Sequence, residues 1–413
     1  MGDLQARLFA PALNRRQGEQ PLIVVGITHS QTCLVLRGRL RALREAGFRV
    51  ALLCSPGPLL DRTAAEEGVD AIPIPIRRSF SPFSDLLSLA RICVTLFRLR
   101  PAITEFSTPK AGLLGSIAAL LCGVPQRVYL MRGLRLETAS GWKRSILRMG
   151  EHLSAACSHV VLCNSRSLRR QIIAFGLAPA DKVQVLGQGS SNGVDVEHFT
   201  PGAGHLKAAC SIPADAPVIG FAGRLTRDKG IPELLEAFES ILRTVPRARL
   251  LLVGWFDESD DALSPDLRAH IEQHSRIVHT GFVQDTAAWY RAMDLMVLPT
   301  WREGFPNAVL EAAASGVPVI TTHATGARDS VLPEVTGLLV PPGDPNAIAD
   351  AVLTLLADPG RRRRMGSTAR EWVSECFPRE QVQARAVALY RHMVADQAPA
   401  IARVFATDGF AAD

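Results

Sequence analysis

The sequence predicts an α/β protein made of two Rossmann-like, doubly wound domains that face each other across a cleft. Three observations predict it. The chain has 413 residues, more than one hydrophobic core ordinarily serves. Short apolar runs ending in Gly- or Ser-rich loops alternate with segments of helical period, the pattern of parallel βα units. That rhythm lapses in GQGSSNGVDVEHFTPG (187–202) and then starts again, which marks a linker. The domains expected are 1–199, 200–378, and a segment 379–413 comprising a helix that returns to the first domain and a tail.

The first domain opens with PLIVVGITHS, a strand running into a polar loop. LVLRGRLRALREAG (34–47) follows at helical spacing, with a basic face. FRVALLCSPG (48–57) is a second strand, and VDAIPIPI (69–76) a third, placed near an edge by its two prolines. LLSLARICVTLFRLRP (86–101) is an amphipathic helix stopped by Pro101. AITEFSTP leads to the apolar helix AGLLGSIAALLCGV (111–124), for which Thr108 is expected to cap and Pro109 to occupy the first turn. QRVYLMRG, SHVVLCNS and KVQVLGQG repeat the strand-to-loop pattern. After the linker come APVIGFAGRL, a helix from about Pro232, RARLLLVGW, another helix, IVHTGFV, LMVLPT, a helix from Pro306, VPVITT and TGLLVPPG. PNAIADAVLTLLAD (345–358) reads as an amphipathic helix with Pro at its start. In such sheets ligands sit at the carboxyl ends of the strands.

With 47% hydrophobic and 21% charged residues the chain is globular. No secretory signal is visible, and the 111–124 run is too short and too glycine-rich to span a bilayer. A cytoplasmic protein is expected. Eight cysteines form no CxxC pair and lie mostly in apolar segments, which argues against disulfides and zinc. His270, His274 and His279 match no metal-protease pattern and are expected on the solvent side of a helix and the strand after it. The net charge of +6 divides unevenly: residues 1–200 hold 25 Lys and Arg against 14 Asp and Glu, the remainder 21 against 26. Such asymmetry suits an anionic partner for the first half. No nucleic-acid module is present, so an anionic membrane surface or a lipid diphosphate fits better than nucleic acid.

Chemistry concentrates in the second half. GFAGRLTRDKG (220–230) ends a strand with small residues around Gly223, then supplies Arg224 and Lys229. A forked guanidinium and a mobile ammonium suit a diphosphate. WREGFPNAVLEAAASGVPVI (301–320) supplies the opposite wall. Its helix presents first-turn N–H groups and a positive dipole end, an anion site. Glu303, before the helix, and Glu311, inside it, would repel phosphate. They instead suit hydroxyls at the two ends of a nucleotide sugar. The GxGxxxG of Gly187, Gly189 and Gly193 follows the last strand of its domain, so a dinucleotide fingerprint is rejected.

Together GFAGRLTRDKG, TGFV (280–283), REGFPNAVLEAAASGVPVI and TGLLVPPGD resemble the retaining glycosyltransferases of family 4, which have the GT-B fold. The resemblance covers nearly all of the second domain, and Glu303 and Glu311 match the family's glutamate, seven residues, glutamate motif. It implies that Glu311 holds the ribose, that Glu303 contacts the sugar hydroxyls, and that Arg224 and Lys229 bind the diphosphate. The backbone of Gly304, Phe305, Pro306, Asn307, Ala308, Val309 and Leu310 is the implied loop over sugar and phosphate, with Gly281 and Val283 in the donor wall. TPKAGLLGSIAALLCGVP, YLMRGLRLET and VLGQGSSNGVD resemble, more loosely, the bacterial branch that builds capsule, exopolysaccharide and O-antigen units on polyprenyl diphosphate.

Two departures stand out. GITHSQT (26–32) replaces the family's frequent Gly-Gly, and Arg132 stands where a histidine is common. An arginine there cannot be a base but suits an anion. His29, Glu105, Lys110 and Arg132 are the acceptor-side candidates. The resemblance implies retaining transfer from a nucleoside-diphosphate sugar, a UDP-sugar by family expectation, to a lipid-linked saccharide. It also implies no metal or other cofactor and a peripheral place on the inner face of the cell membrane. Competing expectations are a transferase with a soluble acceptor, a GT-B epimerase, and a catalytically silent nucleotide-sugar-binding scaffold.

Overall fold

A computed structural model describes residues 20–77, 81–202 and 206–395. The expected tail from 396 onward lies outside them. The first sheet contains β1 (Leu22–Gly26), β2 (Arg49–Cys54), β3 (Asp70–Pro73), β4 (Ile103–Ser107), β5 (Gln126–Met131), β6 (Val160–Cys163) and β7 (Val183–Val185). Their order is β3-β2-β1-β4-β5-β6-β7 and every pairing is parallel. The proline-bearing strand β3 does lie at an edge. The second sheet contains β8 (Val218–Ala222), β9 (Arg249–Val253), β10 (Ile277–His279), β11 (Leu295–Leu298), β12 (Val319–Thr322) and β13 (Gly337–Val340), in the order β10-β9-β8-β11-β12-β13, again parallel. Both orders reverse at one point, between β1 and β4 and between β8 and β11. Parallel strands need helical crossovers, so both faces of each sheet are covered. That burial explains why the strands read as continuous apolar runs.

Chain order and core do not coincide at the C-terminus. The last helix, Arg379–Ala395, leaves the second domain beside an isolated bridge between Val194 and Pro378. It then packs Ala386, Leu389, Tyr390 and Met393 into the core of the first domain. Further contacts hold the domains together around the cleft. The Ser167 N–H donates to Asp329 (2.7 Å), the Gly326 N–H to Ser167 Oγ (2.8 Å), and Thr325 Oγ1 to Glu137 (2.6 Å). Gly304 permits the closest approach, because a Cβ there would lie 2.0 Å from the carbonyl oxygen of Arg132.

Several local expectations change. The 34–47 stretch is not one helix but a 3-10 turn, Ser30–Leu36, and a short α-helix, Arg39–Glu45. Gly38 separates them at φ +78°, a conformation costly for other residues, while Glu67 accepts from the Gly38 and Arg41 N–H groups. Thr108 does not cap the Pro109–Leu121 helix. Its hydroxyl bonds Thr28 instead (Oγ1···Oγ1 2.6 Å). All eight cysteines are free thiols. His270 and His274 both face Glu239 (3.5 and 3.2 Å), while His279 turns to the Gly254 carbonyl. Glu239, His270 and His274 place one ligand atom each within 4.8 Å of one another. However, His274 Nδ1 accepts from the Arg276 N–H (3.1 Å), which leaves the Nε2 proton to donate to Glu239 and explains that pair without an ion.

Candidate functional site

The loops after β8 and β11 meet where the second sheet reverses its order. Two neighbouring cavities open there, one of about 460 Å³ and one of about 300 Å³. They share Val35 from the first domain and Ala222, Gly223, Asn307 and Ala308 from the second. Asn307 and Ala308 open the Asn307–Ala314 helix; the Val309 N–H bonds the Pro306 carbonyl (3.2 Å), and the N–H groups of Asn307 and Ala308 have no acceptor in a preceding turn.

Lys229 and Glu303 line the smaller cavity and form an ion pair, with side chains only 14% and 16% exposed. What holds them is the residue between two candidates. Asp228 is buried, accepts from Thr226 Oγ1 (2.6 Å) and pairs with Arg302 (2.8 Å). Its carbonyl accepts from the Trp301 N–H (2.9 Å) and Thr300 Oγ1 (3.1 Å). The loop carrying Lys229 is thus stitched to the loop carrying Glu303. Burial works to raise the Asp228 pKa, but Lys229, Arg302 and Thr226 hold it below the ordinary carboxylate value. Arg302 also donates through Nε to Thr138 of the first domain (2.9 Å).

Arg224 behaves differently from Lys229. Its guanidinium pairs with Asp257 at 2.7 Å, is 38% exposed, and lines neither cavity. Glu311 lines the larger cavity, where it accepts from Tyr290 (2.8 Å) and Thr286 (3.4 Å). Burial raises its pKa against the opposing pull of those two hydroxyls. Arg37, Arg379 and Trp255 share that wall. Val283 is there too, and Gly281 stands behind it in a bridge to Gly254. Gly304 is buried beneath the interdomain contact, and Phe305 and Pro306 line the smaller cavity. Val309 and Leu310 are wholly buried in the second core and line neither cavity.

The acceptor-side candidates scatter. Arg132 is the one that joins the site, on the smaller cavity's wall. Its Nη2 is buried without a hydrogen-bond partner, and so is Oδ1 of Asn307 on the same wall. Buried polar groups are ordinarily satisfied, so this donor and acceptor are available to a polar group that enters the cavity. Burial, with Arg39 nearby, pushes Arg132 down to about 10, which leaves it cationic at neutral pH. Glu105 must be moved out of the site. It lies within β4, not at its end, and its side chain is fully buried against Arg39 and Tyr390. The sheet's two-residue period turns it inward, where it ties the C-terminal helix to the first domain. His29 caps the Ser30–Leu36 turn, accepting from the Gln31 N–H (3.3 Å), and lines neither cavity. Lys110 pairs with Asp85 (2.6 Å) on a separate cavity of about 510 Å³.

The sequence had shown Asp228 and Arg302 inside its motifs without giving them a task. Tyr290, Thr286, Asp257 and Arg379 were missed altogether. The i, i+4 spacing of Thr286 and Tyr290 was the signal available for two of them, because it puts both hydroxyls on one face of a turn.

Comparison with known proteins agrees with this architecture. Residues 35–189 match the model of the "glycosyl transferase 4-like domain" and residues 216–358 that of "glycosyl transferases group 1". The capsular polysaccharide biosynthesis glycosyltransferase CapM of Staphylococcus aureus is 36% identical over 352 residues, 85% of this chain and 92% of that protein. An Escherichia coli enzyme named UDP-Gal:alpha-D-GlcNAc-diphosphoundecaprenol alpha-1,3-galactosyltransferase is 27% identical over 81% of this chain and 88% of its own length. Among solved structures, sucrose-phosphate synthase from Thermosynechococcus elongatus superposes with a TM-score of 0.75 at 23% identity, covering 91% of this chain and all of that one. Anabaena HepE in complex with UDP-glucose gives 0.74 at 20% identity, covering 90% of this chain and all of that one. At those identities the structures establish the fold. With both halves matched to their models and CapM aligned over nearly its whole length, the chain belongs to glycosyltransferase family 4, has the GT-B fold, and falls in the branch that contains bacterial polysaccharide-assembly enzymes.

Proposed function

We propose that the protein transfers a sugar, with retention at the anomeric carbon, from a nucleoside-diphosphate donor to a saccharide carried on a polyprenyl diphosphate at the inner face of the cell membrane. Capsule, exopolysaccharide or O-antigen assembly is the setting that CapM and the diphosphoundecaprenol galactosyltransferase support, and the latter favours a UDP-sugar. The observation that carries the proposal is the pair of adjoining cavities, with Glu311 on one, Glu303 on the other, and Asn307 and Ala308 between.

In this scheme the nucleoside occupies the larger cavity and Glu311 accepts the ribose hydroxyls. The sugar occupies the smaller one. An arriving diphosphate competes with Glu303 for Lys229, so the ammonium swings toward phosphate and the carboxylate is released to the sugar hydroxyls. The bond from the anomeric carbon to the phosphate oxygen breaks while the acceptor oxygen attacks the same face. The acceptor proton passes to the departing phosphate. Lys229, Arg132 and the helix N-terminus stabilise the charge that grows on the leaving group, a task that is often the largest single catalytic contribution. Arg224 joins them if it exchanges Asp257 for phosphate. These cations and N–H groups do the work without a metal or other cofactor.

The direct test is a panel of nucleotide sugars, scored by thermal shift and by release of nucleoside diphosphate with native lipid extract added. The donor should stabilise the fold by mass action, and lipid should accelerate release. Donor binding without turnover in any lipid would replace the proposal with a silent scaffold. Lipid-independent transfer to a small metabolite would replace the acceptor.

A further inference from the structure

Three helices cover one face of the first sheet: Pro82–Leu99, Pro109–Leu121 and Gly141–Cys157. The middle helix packs against both of the others. An ordinary surface helix is apolar toward the core and polar outside. Here the outer helices are apolar on both sides. Pro82–Leu99 buries Ser88, Ile92 and Leu96, yet exposes Phe83, Leu86, Leu87, Val94 and Phe97, Phe83 being 90% exposed. Positions 83, 87, 94 and 97 fall on one helical stripe. Gly141–Cys157 exposes Trp142, Ile146, Met149 and Leu153, spaced four, three and four apart and so on one stripe too. Leu120 and Leu121 add to the exposed apolar surface at the end of the middle helix.

Charge on this face has one sign. Residues 82–100, 109–121 and 141–157 contain Arg91, Arg98, Arg100, Lys110, Lys143, Arg144 and Arg148 against only Asp85 and Glu151. Asp85 is taken by Lys110, and Glu151 is buried beneath the Tyr129 hydroxyl (2.5 Å). Cations flanking an exposed apolar stripe, with no free acid on these three helices, complement an anionic bilayer interface, where apolar side chains insert and long cationic ones reach the headgroups. No helix among the described residues is long and apolar enough to cross a membrane, so the contact is with one leaflet. The face is also continuous with the chemistry. The cavity of about 510 Å³ has Leu113, Trp142 and Ile146 on its helical side, and its far wall carries Asp260 and Asp261, paired with Arg135 (3.9 Å) and with Arg302 (3.4 Å), the residue before Glu303.

We infer that the protein docks on an anionic leaflet by inserting the apolar stripes of the Pro82–Leu99 and Gly141–Cys157 helices, with the 510 Å³ cavity turned toward the bilayer. This deepens the proposed function and rests on its lipid-linked acceptor for its purpose, though not for its geometry. Pure charge attraction fades when salt shortens the screening length to about 3 Å near 1 M, whereas insertion persists.

The test is sedimentation with phosphatidylglycerol–phosphatidylethanolamine vesicles at low salt and at about 1 M salt. The wild-type protein should stay bound at both. The triple variant Phe83→Ser, Phe97→Ser, Met149→Ser should lose high-salt binding by at least about tenfold, while its thermal unfolding and donor hydrolysis without lipid stay unchanged. Brominated lipids should quench a tryptophan signal that disappears in Trp142→Phe. High-salt binding by the triple variant at wild-type level overturns the inference. So does a wild-type protein that ignores vesicles, including one that instead self-associates through this face. Vesicle docking without transfer to any lipid-linked saccharide would sink the acceptor assignment and leave the docking face standing.

Discussion

At the switch point of the second sheet, between β8 and β11, four charged side chains meet: Asp228, Lys229, Arg302 and Glu303, in two ion pairs. At the switch point of the first sheet, between β1 and β4, the residues that meet are hydroxyls. Thr28 and Thr108 bond each other (2.6 Å), Thr108 Oγ1 accepts from the Thr28 N–H (3.1 Å), and Thr28 Oγ1 accepts from the Ala111 N–H (3.1 Å). One corner of the same fold is built to meet charge and the other to close itself. In the first domain the cations that line the two cavities stand away from this hydroxyl pair: Arg37 after the Ser30–Leu36 turn and Arg132 after β5. The contrast teaches that topology supplies two equivalent corners and only local side chains decide which one does chemistry.

The comparison breaks first at Lys229. Lys229→Ala should lower kcat by about a thousandfold, as removal of one donor to a developing anion does, with the fold intact by circular dichroism. Near-normal release of nucleoside diphosphate would show that the charged corner is not where the leaving group sits. Asp228→Asn comes next. The amide keeps the shape of the carboxylate but loses the pairing that holds Arg302 and stitches the two loops. A kcat loss of about a hundredfold, the scale of a misplacement near 1 Å, is expected with KM for the donor little changed. If KM rises instead while kcat holds, Asp228 serves binding and not alignment.

Glu311 sharpens the comparison through pH. Its carboxyl is held above the ordinary carboxylate value mainly by burial. The folded state therefore binds this proton more tightly than the unfolded chain, and the site's contribution to stability is present in acid and lost as pH rises through the raised pKa. Donor binding has the opposite sign, because the carboxylate is the form that accepts two hydroxyls. KM should climb as pH falls through the raised pKa. Glu311→Gln should raise KM by about tenfold or more and flatten that climb. An unchanged pH profile in the variant would move the ribose away from Glu311.

The sequence showed the two-domain rhythm, the edge position of β3 and the charged corner, because parallel strands are apolar throughout and their loops carry Gly, Pro and charge. It could not show which acid pairs with which cation. Asp228, Lys229, Arg302 and Glu303 were all in view, yet the pairing depends on two loops far apart in the chain meeting at one sheet reversal. Glu105 was misplaced for a related reason. A carboxylate near a strand end looks accessible until the C-terminal helix, much later in the chain, covers it with Tyr390. The docking stripes were obscured because periodicity shows that a helix is apolar but not which apolar side the core takes. Phe83, Phe97 and Trp142 became visible as a surface only when the inner face was seen to be filled by others.

The smallest expected effect belongs to the neutral corner, and it tests whether that corner is only structural. Thr28→Val keeps the side-chain shape and removes one hydroxyl. The Ala111 N–H then loses its acceptor in a buried place, and Thr108 loses its partner while it holds a backbone of φ +69° that other residues rarely adopt. A buried donor left unsatisfied costs about 1–3 kcal/mol, so the variant should melt a few degrees earlier. Its turnover per folded molecule should stay within about twofold, because the Thr28 hydroxyl is turned toward Thr108 and the Ala111 N–H and lines neither cavity. A kcat loss comparable with that of Lys229→Ala, measured at a temperature where the variant is fully folded, would mean that the first corner shares the chemistry, and the division between a charged corner and a closed one would fail.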